Sequence, residues 1–168
     1  MFVPCLEDPL NEGILEEFEA AMKCLGVVEF FNAHLQRDVL EYHYQEIRDH
    51  LHRLKVSFNP DVVFCPSVND LHQDHRAVAN ACLTIFRDSA TLLSYENVRS
   101  TIDFKPTLYV ALSKEDLINK NLALSKYETQ TRRFYFKPEI FEAQALIRGS
   151  QIFTPYAEAF EVMRLIDR

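Results

Sequence analysis

Glycine is scarce in this chain. Only three of 168 residues are glycine, Gly13, Gly26 and Gly149, where average usage would give about 12. No two are close, which excludes both a GxGxxG dinucleotide loop and a Walker-type phosphate loop. Cysteine is limited to Cys5, Cys24, Cys65 and Cys82, with no CxxC pair and no zinc-ribbon spacing. Cys24, Cys65 and Cys82 sit in apolar stretches and are expected to be buried free thiols in a reducing compartment. No apolar run approaches the ~18 residues of a membrane span. The start, MFVPCLEDP, has neither a basic n-region nor a long apolar h-region. These features lead us to expect a cytoplasmic protein. Positive charge is also short: 18 Lys and Arg stand against 25 Asp and Glu, a net charge of −7. The chain lacks the electrostatic footprint of a nucleic-acid binder.

What remains is an ordinary globular composition, 48% apolar and 26% charged. The length fits one domain, spanning residues 1–168, with a real core. Residues 14–26 carry Ile14, Phe18, Ala21, Met22 and Leu25 at helical spacing, with Gly26 placed as a C-cap. VVEFF (27–31) is short and β-prone. An amphipathic helix is expected over about 37–56. DVVFCP (61–66) reads as a buried strand. A helix follows over 72–89, then strands at 92–96 and 107–113, and helices at 114–130 and about 138–148. Residues 156–166 fit a strand or a helix. Strands alternating with helices argue for an α/β sandwich with a mainly parallel sheet. Such a domain usually opens with a strand and a long helix. Here FVPC is at most a strand fragment, so the first βα unit looks missing.

The densest polar cluster is PSVNDLHQDH, with Asn69, Asp70, His72, Asp74 and His75. It lies between a buried strand and a helix, at the strand's C-terminal end, where open α/β sheets bind ligands. His72 and His75 are three apart and share a face in a helical turn. A neutral imidazole there can bind a metal or donate a proton, and an Asp can orient it. The plainer reading makes Asp70 an N-cap and Asp74 a favourable first-turn acid. A catalytic zinc needs three protein ligands and an open position, and this cluster supplies one or two.

NDLHQDHRAV after DVVFCPS resembles the second motif of the PIG-L / LmbE-like zinc-dependent de-N-acetylases. Other segments fit in order: EEFEAAMKCLGV, FNPDVVFCPS, LLSYE, LINKNLALSKYETQ and ALIRGSQIFTPYAEAFEVMR. The resemblance covers nearly the whole chain, and HQDH together with YAEAF carries it. It implies a Rossmann-like three-layer fold. It also implies hydrolysis of the N-acetyl group of an N-acetylglucosamine-type amino-sugar conjugate. By position, His75 matches a zinc ligand. His72 matches the residue that polarises the amide carbonyl or protonates the leaving amine, and Asp74 the acid supporting that His. Asn69, Asp70, Arg148 and Glu158 are the matching candidates for the substrate pocket.

One departure is large. The family's His-Pro-Asp-Asp motif supplies two zinc ligands and the general base, and it occurs nowhere in this sequence. Its absence coincides with the missing βα unit. The chain therefore reads as N-terminally truncated relative to the family, by about 40–50 residues. Two further zinc ligands are then expected from outside the chain, or are absent. The chain alone is expected to show little or no deacetylase activity. The alternative is an inactive remnant acting as a binding or interaction module, a homo-oligomer or one half of a complementing pair. His34 with Asp38, and His43 with Glu46, could each share a helix face, but such residues are normally solvated. RRFYF (132–136) could stack on a sugar or face a partner.

Overall fold

The computed structural model describes residues 2–3 and 13–167. In chain order the elements are β1 (Phe2–Val3), α1 (Ile14–Cys24), β2 (Phe31–Asn32), α2 (Tyr44–Phe58), β3 (Val62–Cys65), α3 (Gln73–Phe86), β4 (Thr91–Tyr95), β5 (Leu108–Leu112), α4 (Lys114–Leu124), α5 (Pro138–Ser150) and β6 (Tyr156–Arg164). Strands β1 and β2 form a two-stranded ribbon, and a four-stranded sheet runs in the order β3-β4-β6-β5. Helices and an open mixed sheet make this the layered α/β fold. Among the described residues no helix is long and apolar enough to cross a membrane. The chain forms two compact units, one of Val3–His34 with Tyr109–Glu158, the other of Leu35–Leu108 with the end of the chain from Ala159.

In the first unit, α1 buries Phe18, Ala21 and Met22 with Ala123 of α4. Of the other two positions its helical spacing picks out, Ile14 is half-buried and Leu25 is 50% exposed. Gly26, at φ 68°, ends the helix. Its N–H donates to the Lys23 carbonyl and that of Val27 to Met22, the paired bonds of a left-handed glycine cap. The β-prone VVEFF does not form a strand along its length. Val27 and Phe30 fold back on the α1 core, with the Phe30 ring edge-on to Phe18 at 5.1 Å, and only Phe31–Asn32 pairs. Tertiary packing here overrides local preference. The helix expected over 114–130 stops at Leu124. Beyond it, Thr129 donates from its N–H and its hydroxyl to the Glu17 carboxylate, at 2.8 and 2.7 Å, which holds 128–130 as a separate 3₁₀ turn. Residues 156–166, open between strand and helix, form the nine-residue strand β6.

In the second unit, β3 and β4 are parallel, with Val63 opposite Leu92 and Cys65 opposite Ser94. Helix α3 makes the crossover that parallel pairing requires. β4 and β6 are antiparallel, with Ser94 opposite Glu161 and an irregularity between Leu92 and Leu93. The core holds Leu40, Ile47, Leu51, Cys65, Ala81, Cys82, Phe86, Leu92 and Leu93. β3 departs from the expected fully buried strand. Val62 is 45% and Phe64 57% exposed, because β3 ends the strand order and one of its faces is uncovered. The helix expected from residue 37 begins only with a 3₁₀ turn at Leu40. Asp38 before it is left-handed at φ 66°, and its N–H is bonded elsewhere, as described next.

A candidate acid–base and metal site at the start of α3

β3 ends at Cys65, and the chain turns through Pro66–Leu71 before entering α3. The turn is built from its own polar groups. Asn69 N–H donates to the Ser67 hydroxyl at 3.2 Å, Asp70 N–H to the Ser67 carbonyl and Leu71 N–H to the Ser100 carbonyl. Arg76 reaches back from α3 and donates to the carbonyls of Asp70 and Leu71, at 2.8 and 2.7 Å. The loop thereby presents His72 as the N-cap of α3.

Asp70 is 1% exposed, and both of its oxygens are engaged. Oδ1 accepts the His72 N–H at 2.8 Å, and Oδ2 lies 2.8 Å from Nδ1 of His75. Burial pushes this carboxyl up. The hydrogen bonds from the His72 backbone and the His75 ring outweigh it and hold the group below its usual range. Asp70 is therefore an ionised acceptor, which in a neutral His75 ring keeps the hydrogen on Nδ1 and leaves the lone pair on Nε2. A carboxylate behind a histidine is the usual support for a metal-ligating ring.

His72 has the opposite arrangement. Its Nδ1 accepts the Asp74 N–H at 3.2 Å, so the hydrogen of the neutral ring sits on Nε2. That nitrogen lies 3.6 Å from Oδ1 of Asp38. The two rings stack, with centroids 4.7 Å apart and planes 16° from parallel. One ring is thus prepared as a ligand and its neighbour as a hydrogen-bond donor.

The Asp74 carboxylate is hydrogen-bonded to a different segment from His72. This buried carboxylate accepts the backbone N–H groups of Asp38 at 2.6 Å and Leu40 at 3.0 Å, while the Gln73 amide donates to the Asp38 carbonyl at 3.1 Å. The first turn of α3 therefore clamps residues 38–40 and delivers the Asp38 carboxylate to His72. Spacing gave no signal for Asp38 in this place, because the contact spans more than 30 residues and depends on a left-handed backbone.

Asp38, His72 and Asp74 each offer a ligand atom, all within 4.8 Å of one another. The 3.6 Å between Asp38 Oδ1 and His72 Nε2 is close to the edge, about 3.4 Å, of a tetrahedron with ~2.1 Å metal bonds. The hydrogen bonding opposes that use. His72 Nε2 holds a hydrogen, and the Asp74 oxygens hold two backbone donors. His75, whose Nδ1 lies 2.8 Å from Asp70, is outside this group of three. A three-ligand zinc centre is therefore not complete among the described residues.

The other expected site residues take no part in this hydrogen-bonded cluster. Asn69 is exposed on the turn. Arg148 and Glu158 belong to the first unit. There Arg148 donates to Gln151 at 3.1 Å, and Glu158 accepts from Lys120 at 2.6 Å. His43 and Glu46 do bond, at 2.8 Å, on an exposed face.

Residues 10–86 match the family model PIG-L: GlcNAc-PI de-N-acetylase. No curated protein matches the chain. Among solved structures, the conserved protein TT1542 from Thermus thermophilus is similar at 20% identity and a TM-score of 0.78, over 99% of this chain and 82% of that one. The N,N'-diacetylchitobiose deacetylase from Pyrococcus horikoshii is 18% identical, with a TM-score of 0.74 over 96% of this chain and 68% of its own. The teicoplanin deacetylase Orf2 is 14% identical, with a TM-score of 0.75 over 94% and 77%. At these identities the structures show a shared fold. The match over residues 10–86, which includes the whole clamp from Asp38 to His75, makes that segment similar to the PIG-L family.

Proposed function

We propose that this chain carries part of a de-N-acetylase site that acts on the N-acetyl group of an N-acetylglucosamine-type amino-sugar conjugate. The observation that carries the reading is the opposite preparation of the two stacked histidines. Amide hydrolysis passes through a tetrahedral oxyanion, which needs a donor aimed where its charge develops. His72 offers Nε2–H for that purpose, and while the Asp74 N–H occupies Nδ1 the ring acts as a neutral donor. Asp38 beside it offers a carboxylate for a sugar hydroxyl or amide hydrogen. His75 offers Nε2 to zinc, with Asp70 fixing its tautomer. Two further ligands and the general base would come from outside the described residues. Asn69, Arg148 and Glu158 remain proposed substrate contacts.

The test has two readouts that do not require turnover, since acetate release by these 168 residues alone is expected to be little or none. In equilibrium dialysis against excess zinc, the single His75 ligand should give weak binding to the wild type and to His72→Ala, and measurably less to His75→Ala. Undiminished binding to His75→Ala would refute the ligand assignment. In calorimetry, an N-acetylglucosamine conjugate should bind at least about tenfold more weakly to His72→Ala than to the wild type. Equal binding would refute the donor assignment. A second reading, a non-catalytic interaction module, is favoured by the exposed Val62 and Phe64 on β3. It gains support only if neither readout responds and the chain self-associates through that face.

A further inference from the structure

The buried sulfur atoms of the second unit are used by none of this chemistry. Cys65 ends β3 and is 1% exposed, and Cys82 on α3 is 4% exposed. The two side chains interact with each other. Cys65 Sγ also lies 3.7 Å from the thioether sulfur of Met163 on β6. Two sulfurs bound to one ion at about 2.3 Å stand about 3.8 Å apart in a tetrahedral site and about 4.0 Å apart in a trigonal one, so this separation already suits a shared ligand. A separate observation points to the same place. Ser94 is fully buried, and its hydroxyl has no hydrogen-bond partner. It is the strand partner of Cys65 in the parallel β3–β4 pair and of Glu161 in the antiparallel β4–β6 pair. Register partners point to the same face of a sheet, so Cys65 and Ser94 lie side by side beneath α3. A buried polar atom without a partner needs an explanation, and an ion seated among its neighbours supplies one.

We propose that Cys65, Cys82 and Met163 form a buried soft-metal site for a single Cu(I) ion. Two thiol sulfurs and a thioether are the donor set that selects Cu(I) over zinc or magnesium. Each cysteine that ligates gives up its proton to solvent, and the copper stays Cu(I) throughout, so no oxidant or reductant is needed. Met163 is only half-buried and gives the ion a route inward.

The test is an anaerobic titration of the full chain with tetrakis(acetonitrile)copper(I) in competition with bicinchoninate. The readout is stoichiometry, together with alkylation of each cysteine by iodoacetamide mapped by mass spectrometry. One Cu(I) per chain is expected, with Cys65 and Cys82 protected from alkylation in the loaded, partly unfolded protein while Cys5 and Cys24 still react. Cys65→Ser and Cys82→Ser should each lose the ion. The nearly volume-conserving Met163→Leu should keep the fold by circular dichroism and weaken binding about tenfold. Protection of Cys5 or Cys24 instead, binding unchanged in all three variants, or no binding by the wild type would each overturn the proposal.

Discussion

Asp74 offers the sharpest test of how the site is built. If it is only a favourable acid in the first turn of α3, removing its charge costs about 0.5 kcal/mol. The structure gives it more to hold, since its carboxylate accepts the N–H groups of Asp38 and Leu40 at 2.6 and 3.0 Å. Hydrogen bonds to a charged acceptor are worth about 1.5–3 kcal/mol each. The two differ in what replaces them. Asp38 is exposed, so water can reach its N–H. Leu40 is 1% exposed, and its N–H would be left buried without an acceptor. Asp74→Asn keeps the volume and one carbonyl oxygen but turns an amide hydrogen toward one of the two donors. We expect a loss of about 2–3 kcal/mol for Asp74→Asn and somewhat more for Asp74→Ala. With a urea m-value of about 2 kcal/mol/M, that is a midpoint lower by about 1 M or more. Hydrogen exchange would localise the effect, with faster exchange at Leu40 than at helical amides of α2 or α3. A midpoint shift below about 0.3 M, with Leu40 exchange unchanged, would refute the clamp and restore the simpler first-turn reading.

Other consequences can be measured directly. Because the Asp70 carboxyl is held below its usual range, its contribution is fully present above the ordinary carboxylate pKa of ~3.9 and is lost as pH falls through its lower folded value. Asp70→Asn should flatten the acid side of a stability-against-pH curve, and an unchanged acid side would count against it. At Gly149 an added Cβ would sit 2.6 Å from the Thr154 carbonyl oxygen and 2.8 Å from the Tyr156 nitrogen. These are backbone atoms that cannot swing away, so Gly149→Ala should cost about 1–3 kcal/mol in thermal unfolding, whereas alanine usually stabilises a helix. Glu17→Ala removes both bonds to Thr129 and should raise hydrogen exchange at Thr129 and cost about 1–2 kcal/mol. Glu17→Gln, which keeps an acceptor, should cost less.

Much of this was legible in the sequence where the signal was local. Gly26 stops α1 because a left-handed cap suits glycine, and the spacing of Phe18, Ala21 and Met22 marks the buried face. The HQDH segment was identifiable because its polar residues cluster at the C-terminal end of a strand, where open α/β sheets bind ligands. The misreadings came from long-range contacts. VVEFF has the composition of a strand, yet Phe30 packs on Phe18. Helix α2 starts late because Asp74, more than 30 residues on, takes the N–H groups of Asp38 and Leu40. Asp70 and Asp74 could be named as polar residues of one motif, but spacing does not tell which histidine each carboxylate serves. Asp70 supports His75, and Asp74 reaches past His72 to a different segment, because side-chain direction is settled only once β3, α3 and the 38–40 turn are packed together.

The pairing of β4 with β6 has a consequence for how the polypeptide is made. β4 lies between β3 and β6 in the sheet, and its Leu93 stands opposite Val162, about 70 residues later. As the chain leaves the ribosome, β3, α3 and β4 can assemble early, because their contacts are local. One edge of β4 then stays without a hydrogen-bonding partner until β6 is synthesised, a slow long-range closure. Its Leu92–Tyr95 edge is a template for wrong pairing during that interval. Deletions from the C-terminus that stop before Val162 should therefore aggregate rather than merely lose stability, although they leave every residue of the HQDH cluster in place.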